Sequence, residues 1–105
     1  MYLSFDVGTT SVKTALFDRQ GRLLAKAIKN YELATPQADW VEVDPAVYWQ
    51  AVREGFRETL QGVDPRQVRT ISGCSQGETI IFLDRKDQAV RPAMVWLDNR
   101  ARAEA

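Results

Sequence analysis

Phe5-Asp6-Val7-Gly8-Thr9-Thr10-Ser11 lies between two apolar runs, Tyr2 to Phe5 before it and Val12 to Phe17 after it. The first run reads as a buried strand that Asp6 ends with a carboxylate. Gly8 then permits a tight turn, and Thr9, Thr10 and Ser11 follow before extended chain resumes at Val12. Backbone N–H groups and hydroxyls in such a turn can ring phosphate oxygens, and an acidic group at a strand end can hold a metal ion or its waters. A phosphate clasp and an ordinary polar hairpin turn are both open readings of these residues alone.

Outward from this stretch the pattern is that of a meander. The two-residue period of strand one, Tyr2 to Asp6, puts Leu3 and Phe5 on one face and Tyr2, Ser4 and Asp6 on the other. Strand two, Val12 to Phe17, runs back from the hydroxyl turn. Asp18-Arg19-Gln20-Gly21 is a turn with glycine where a positive φ is needed, and strand three spans Arg22 to Ile28. Such a meander needs a helix or a second sheet over its apolar face. Asn30 to Asp44 lacks periodicity and reads as a long surface connection, a kind of loop that is often functional. Asp44 before Pro45 signals a helix start, with an N-cap acceptor followed by proline at the first helical position. At roughly 100° per residue, Tyr48, Trp49, Val52, Phe56 and Leu60 form a stripe that packs on the sheet. Gln50, Arg53, Glu54, Arg57 and Glu58 lie opposite, and Gly55 marks a close approach to a neighbour.

Gly62 is a stop signal, and Asp64-Pro65-Arg66-Gln67 can begin a short helical turn. A fourth strand, Arg69 to Cys74, is interrupted by Ser75-Gln76-Gly77-Glu78 and resumes as a fifth strand, Thr79 to Leu83. Ala93 to Leu97 is a short apolar segment that delivers Asp98-Asn99-Arg100. Asp98 or Asn99 can cap a helix through Ala105, where the chain end reads as a cut.

Composition narrows the function classes. The 105 residues make one domain at most, 45% hydrophobic and 27% charged, as in average globular proteins. Lys plus Arg and Asp plus Glu are 14 each, so no net field draws nucleic acid or an anionic membrane. The single cysteine, Cys74, cannot form an internal disulfide and reads as a small buried residue. Met1 is not followed by a signal-peptide pattern, and no apolar run approaches the roughly 20 residues of a membrane-spanning helix. The expected compartment is the cytoplasm. Histidine is absent, so an expected metal is a hard cation held by oxygen, with magnesium first.

The order β-β-β-α-β-β, with an acidic residue ending strand one, fits an α/β chain of the ribonuclease H-like (actin-like ATPase) fold, here incomplete. Phe-Asp-Val-Gly-Thr-Thr-Ser-Val-Lys at 5–13 and Trp-Val-Glu-Val-Asp-Pro at 40–45 are joined by a longer block at 83–101. That block reads Leu-Asp-Arg-Lys-Asp-Gln-Ala-Val-Arg-Pro-Ala-Met-Val-Trp-Leu-Asp-Asn-Arg-Ala. Together these resemble the N-terminal region of the FGGY carbohydrate kinases, which include xylulose, gluconate, ribulose and glycerol kinases.

The resemblance implies ATP-dependent phosphorylation of a sugar or polyol hydroxyl in a cleft between two actin-like domains. Residues 1–105 would be the N-terminal part of the first domain, inactive alone, with the general base and the adenosine-binding domain further along. Asp6 would position Mg2+ through water and the transferring phosphate. Gly8, Thr9, Thr10 and Ser11 would form the phosphate loop, with Lys13 facing phosphate. Gln76 and Glu78 would accept hydrogen bonds from sugar hydroxyls, and Trp96 would wall the sugar's carbon face. Partners would be a small sugar or polyol, with no nucleic acid or membrane, and a homodimer of the full-length enzyme is left open. The sequence lacks the Arg-Glu and Met-His pairs of the familiar glycerol and xylulose kinase forms, which leaves the sugar open.

Read without the family, Lys13 is a solvated strand residue, Gln76 and Glu78 are exposed turn residues, and Trp96 is a core aromatic. Asp98 and Arg100 read as an ion pair or cap, and Trp40 and Trp49 as packing. Two other functions fit the fold. A ribonuclease H-like nuclease needs further carboxylates converging on two metals, and a non-catalytic assembly domain needs none of this chemistry.

Overall fold

A computed structural model describes residues 1–104. β1 (Tyr2–Val7), β2 (Ser11–Phe17) and β3 (Leu23–Asn30) are the expected antiparallel meander. β3 runs two residues further than its composition suggested, and Tyr31 N–H extends the pairing by donating to Thr10 O at 3.0 Å. Gly21 closes the β2–β3 turn at φ +78°, the left-handed backbone that glycine adopts without strain. β5 (Thr70–Ser75) lies parallel to β1, giving the sheet order β3-β2-β1-β5.

The helix α1 (Pro45–Thr59) starts where the Asp44-Pro45 pair placed it, with the Asp44 carboxylate accepting from Ala46 N–H. Its buried face differs from the expected stripe. Ala51, Val52, Gly55 and Thr59 are buried, while Trp49 is 64% exposed. Small residues at four-residue spacing make a groove that lets the helix axis approach the sheet, and the larger side chains flank it. A Cβ added to Gly55 would stand 2.7 Å from Thr14 Cγ2 and 3.0 Å from Thr14 Oγ1. Beside it the buried Thr14 and Thr59 hydroxyls share a hydrogen bond of 2.6 Å. Gly55→Ala should therefore lower stability by about 1–3 kcal/mol through overpacking, despite the gain of about 1 kcal/mol that alanine brings to an open helix. Denaturant unfolding of the full-length variant checks this, and a midpoint at or above wild type would show that the helix can slide outward freely.

Val12, Ala51 and Val52 form the core under α1, with Phe5, Val7, Tyr31 and Phe56 packed around them. A second cluster, Val43, Ala93 and Val95, sits beneath two-residue strands β4 (Glu42–Val43) and β6 (Ala93–Met94). The 30–44 stretch is thus not wholly a surface connection, because its end enters this second core. Three further expectations fail. Thr79 to Leu83 is no strand: it makes isolated bridges, Ile80 to Met94 and Leu83 to Ala89, and its apolar side chains are exposed. Branched side chains favour extended chain, but a strand needs a partner along its length. Cys74 is exposed, because β5 is an edge strand whose outer face no element covers. After Asp98 the chain makes four-residue turns, Arg102 N–H to Asn99 O and Glu104 N–H to Ala101 O, in place of a helix; Ala105 lies outside the described residues. The turn at Pro65–Gln67 forms as a 3-10 helix capped by Asp64. Among the described residues no helix is long and apolar enough to cross a membrane.

Candidate functional site

The hydroxyl turn stands at the end of the β1–β2 pair. Gly8 N–H donates to Ser11 O at 2.9 Å, which closes the hairpin. The N–H groups of Thr9 and Thr10 donate to no other group among the described residues. Two free N–H donors and three hydroxyl residues therefore lie within one short turn, groups of the kind that can bind phosphate oxygens. Tyr31 braces the turn from below, its phenol donating to Gly8 O. Burial first, then the neighbouring Tyr48 and the Asp6 carboxylate, pushes the Tyr31 phenol up to about 12, so it stays protonated and donating near neutral pH.

Asp6 and Lys13 are cross-strand partners on the sheet face away from α1. Lys13 Nζ lies 3.8 Å from Asp6 Oδ2, with both side chains substantially exposed. The parallel register brings Cys74 beside Asp6 on the same face, its Sγ 3.4 Å from Asp6 Oδ1. The hydrogen bond to that carboxylate, then desolvation, raises the Cys74 thiol above its usual range. Ser4, Asp6, Lys13, Ala15, Ser72 and Cys74 thus border an open cleft of about 220 Å³.

The later segments arrive at the same end of the sheet. Trp96 Nε1 donates to Thr9 Oγ1 at 2.9 Å, so the indole expected to wall the sugar touches the turn expected to hold phosphate. Gly77, Glu78 and Trp96 line a cleft of about 270 Å³. Glu78 holds the left-handed conformation at φ +58°, costly for a non-glycine residue and frequent at functional sites. Gln76 goes elsewhere: its Nε2 donates to Tyr48 Oη at 3.0 Å, in a separate cleft of about 230 Å³ with Val7, Ser75, Thr79 and Ile81. Asp98 and Arg100 form the ion pair allowed for them, with Arg100 Nε 2.7 Å from Asp98 Oδ1 and the guanidinium 3.7 Å above the Trp40 ring.

The family comes from the whole chain. Residues 1–105 match the profile described as the FGGY family of carbohydrate kinases, N-terminal domain. The chain belongs to the FGGY family of carbohydrate kinases. It is 35% identical over 99 residues to a glycerol kinase of Aquifex aeolicus (strain VF5), covering 93% of this chain and 20% of that one. It superposes on the crystal structure of a "xyloylose kinase" from Brucella ovis with a TM-score of 0.92 and 29% identity, covering 99% of this chain and 22% of that one. It also superposes on Plasmodium falciparum glycerol kinase with ADP, with a TM-score of 0.84 and 25% identity, over 98% of this chain and 21% of that one. The FGGY chain thus spans about a fifth of the length of the curated relatives it matches, and its sheet and helix are a part of the actin-like ATPase fold of these kinases.

Two residues that bond to the hydroxyl turn and to Gln76 escaped the sequence reading, Tyr31 and Tyr48. Each was legible only as an aromatic with a polar handle, Tyr31 in the aperiodic stretch and Tyr48 in the helix stripe. Their hydroxyls find their partners through the tertiary fold, on chain 23 and 28 residues away.

Proposed function

We propose that this chain supplies the phosphate-facing and sugar-facing wall of an ATP-dependent kinase that phosphorylates a hydroxyl of a sugar or polyol. The observation that carries this reading is the Trp96 to Thr9 hydrogen bond, which joins the Glu78 cleft to the hydroxyl turn. Phosphoryl transfer depends mainly on positioning and on neutralising charge, so a wall of fixed donors beside a sugar cleft is suited to it.

The free N–H groups of Thr9 and Thr10 and the hydroxyls of Thr10 and Ser11 hold phosphate oxygens. Thr9 Oγ1 accepts from the indole and keeps its own proton to donate. Lys13 offers its ammonium to the same charge across from Asp6. Among the described residues no three of His, Cys, Asp and Glu cluster. That arrangement fits magnesium, which needs only one or two carboxylates beside water and phosphate; the paired-metal nuclease reading needs more, and the family match weighs against it. When bound at Asp6, magnesium would neutralise phosphoryl charge. Glu78 accepts from sugar hydroxyls while Trp96 covers the carbon face. The general base is assigned to none of these residues. The chain serves as the N-terminal part of the first of two actin-like domains, in the cytoplasm where ATP is available.

The test is sugar-dependent ADP formation by the full-length enzyme over a panel of polyols, ketoses and aldonates. Glu78→Gln should raise KM for the best substrate by about tenfold with KM for ATP unchanged, the loss of a charge-assisted hydrogen bond. Absence of substrate-dependent ADP across the panel would sink the kinase reading, and an unchanged KM would remove Glu78 from the sugar site.

A further inference from the structure

One path of contacts runs beneath the proposed site. Gln76 N–H donates to Val7 O at 2.8 Å, carrying the parallel pairing of β5 one residue beyond its end. The Gln76 side chain then turns inward to Tyr48 Oη, and the Tyr48 ring meets Tyr31 edge-on, with centroids 5.4 Å apart and planes at 80°. Tyr31 grips the turn twice, through its phenol to Gly8 O and its N–H to Thr10 O. The segment that presents Glu78 and the turn that presents Thr9 and Thr10 are therefore tied to one aromatic pair. In the cleft between them, Gln76 Oε1 and Thr79 Oγ1 are buried without a hydrogen-bond partner. The Gln76 amide nitrogen is thus committed to Tyr48 and away from the Glu78 and Trp96 cleft, while its oxygen is left without a partner.

We propose that Tyr48 is a positioning residue that, through Gln76 on one side and Tyr31 on the other, holds the sugar segment and the phosphate turn in fixed relation. Gln76 is then a member of this strut and makes no sugar contact. The proposal rests on the kinase reading for its kinetic consequence, and its structural content stands apart from that reading. Small misplacements between a bound hydroxyl and a phosphoryl group lower turnover more than affinity.

The experiment uses the full-length enzyme with Tyr48→Phe, Gln76→Leu and the double variant. Tyr48→Phe keeps the ring against Tyr31 and removes only the hydroxyl. Each single variant should lower kcat by about tenfold with sugar KM within about twofold, and the double variant should be no worse than either, because residues acting as a unit are non-additive. Additive losses would show that the two residues act independently, and a rise in sugar KM with Gln76→Leu alone would make Gln76 a sugar contact; either result overturns the strut. Hydrogen exchange reads the same strut without turnover. Tyr48→Phe should speed exchange together at the hydrogen-bonded amides of Gly8, Tyr31 and Gln76, and unchanged exchange at Gly8 and Tyr31 overturns the proposal. If the wild-type enzyme forms no sugar-dependent ADP, the kinase reading fails while the exchange result still decides the strut.

Discussion

Replacing Asp6 with asparagine in the full-length enzyme is expected to lower kcat by about 100-fold or more, while the thermal midpoint stays close to wild type. The carboxylate ends β1 on the open face of the sheet, so its substitution leaves the core under α1 untouched. Its ion pair with Lys13, at 3.8 Å and exposed, is of the kind that contributes little to stability. On the proposed reading, asparagine removes the negative charge that would face a magnesium ion and its waters. The neighbouring thiol gives a second readout. The Asp6 carboxylate is the main cause of the raised Cys74 pKa, so in Asp6→Asn the thiol should ionise at lower pH and react faster with iodoacetamide near pH 8. Wild-type kcat with Asp6→Asn would take Asp6 out of the mechanism. Unchanged alkylation would show that the two groups do not interact in solution.

The largest expected effect on stability lies at Asp98. Its side chain is 3% exposed, and Arg100 and Glu42 beside it are nearly as hidden. Asp98 accepts from Val41 N–H at 2.7 Å and from the Arg100 guanidinium, which also bonds Glu42 at 2.8 Å and lies over Trp40. This network clamps the segment after Val95 to the chain entering β4, and so sets where Trp96 emerges. Breaking a buried pair from one side leaves the other charge uncompensated. Asp98→Asn should therefore lower the thermal midpoint by about 5 °C or more, and should loosen Trp96 from Thr9.

The pH dependence has a definite sign. The Arg100 guanidinium, against the opposing cost of burial, holds the Asp98 carboxyl well below the usual carboxylate range. Its contribution is fully present above the unfolded value, about 3.9, and is lost as pH falls from there toward the depressed folded value. The midpoint gap between wild type and Asp98→Asn should be widest near pH 6 and shrink below pH 4. A gap that does not change with pH would place the stabilisation in packing instead of charge.

Much of the frame was legible because local rules and tertiary packing agree there. The alternation in residues 2–17, the turn at Asp18 to Gly21, and the Asp44-Pro45 cap each carry their own geometry, and the fold kept all of them. Gly55 was legible as a close approach, although its partner Thr14 was not, since contact across 41 residues leaves no local signature. The helix stripe held for Val52, Tyr48 and Phe56, which are buried or packed on the cores, and failed at Trp49. Trp49 is exposed because the small residues of α1 face the sheet, and Thr79 to Leu83 is extended without a partner strand.

The strands around Asp6-Val7-Gly8-Thr9-Thr10-Ser11, the helix that covers them, and the kinase family can be read from residues alone, because these rest on period, capping and motif order within short spans. Which side chains come into contact was settled by the folded chain. It paired Lys13 and Cys74 with Asp6 through strand register, brought Trp96 to Thr9, and turned Gln76 away to Tyr48. Those relations depend on register and on the direction each side chain takes across long stretches of chain, and both are settled by packing, which no local pattern encodes.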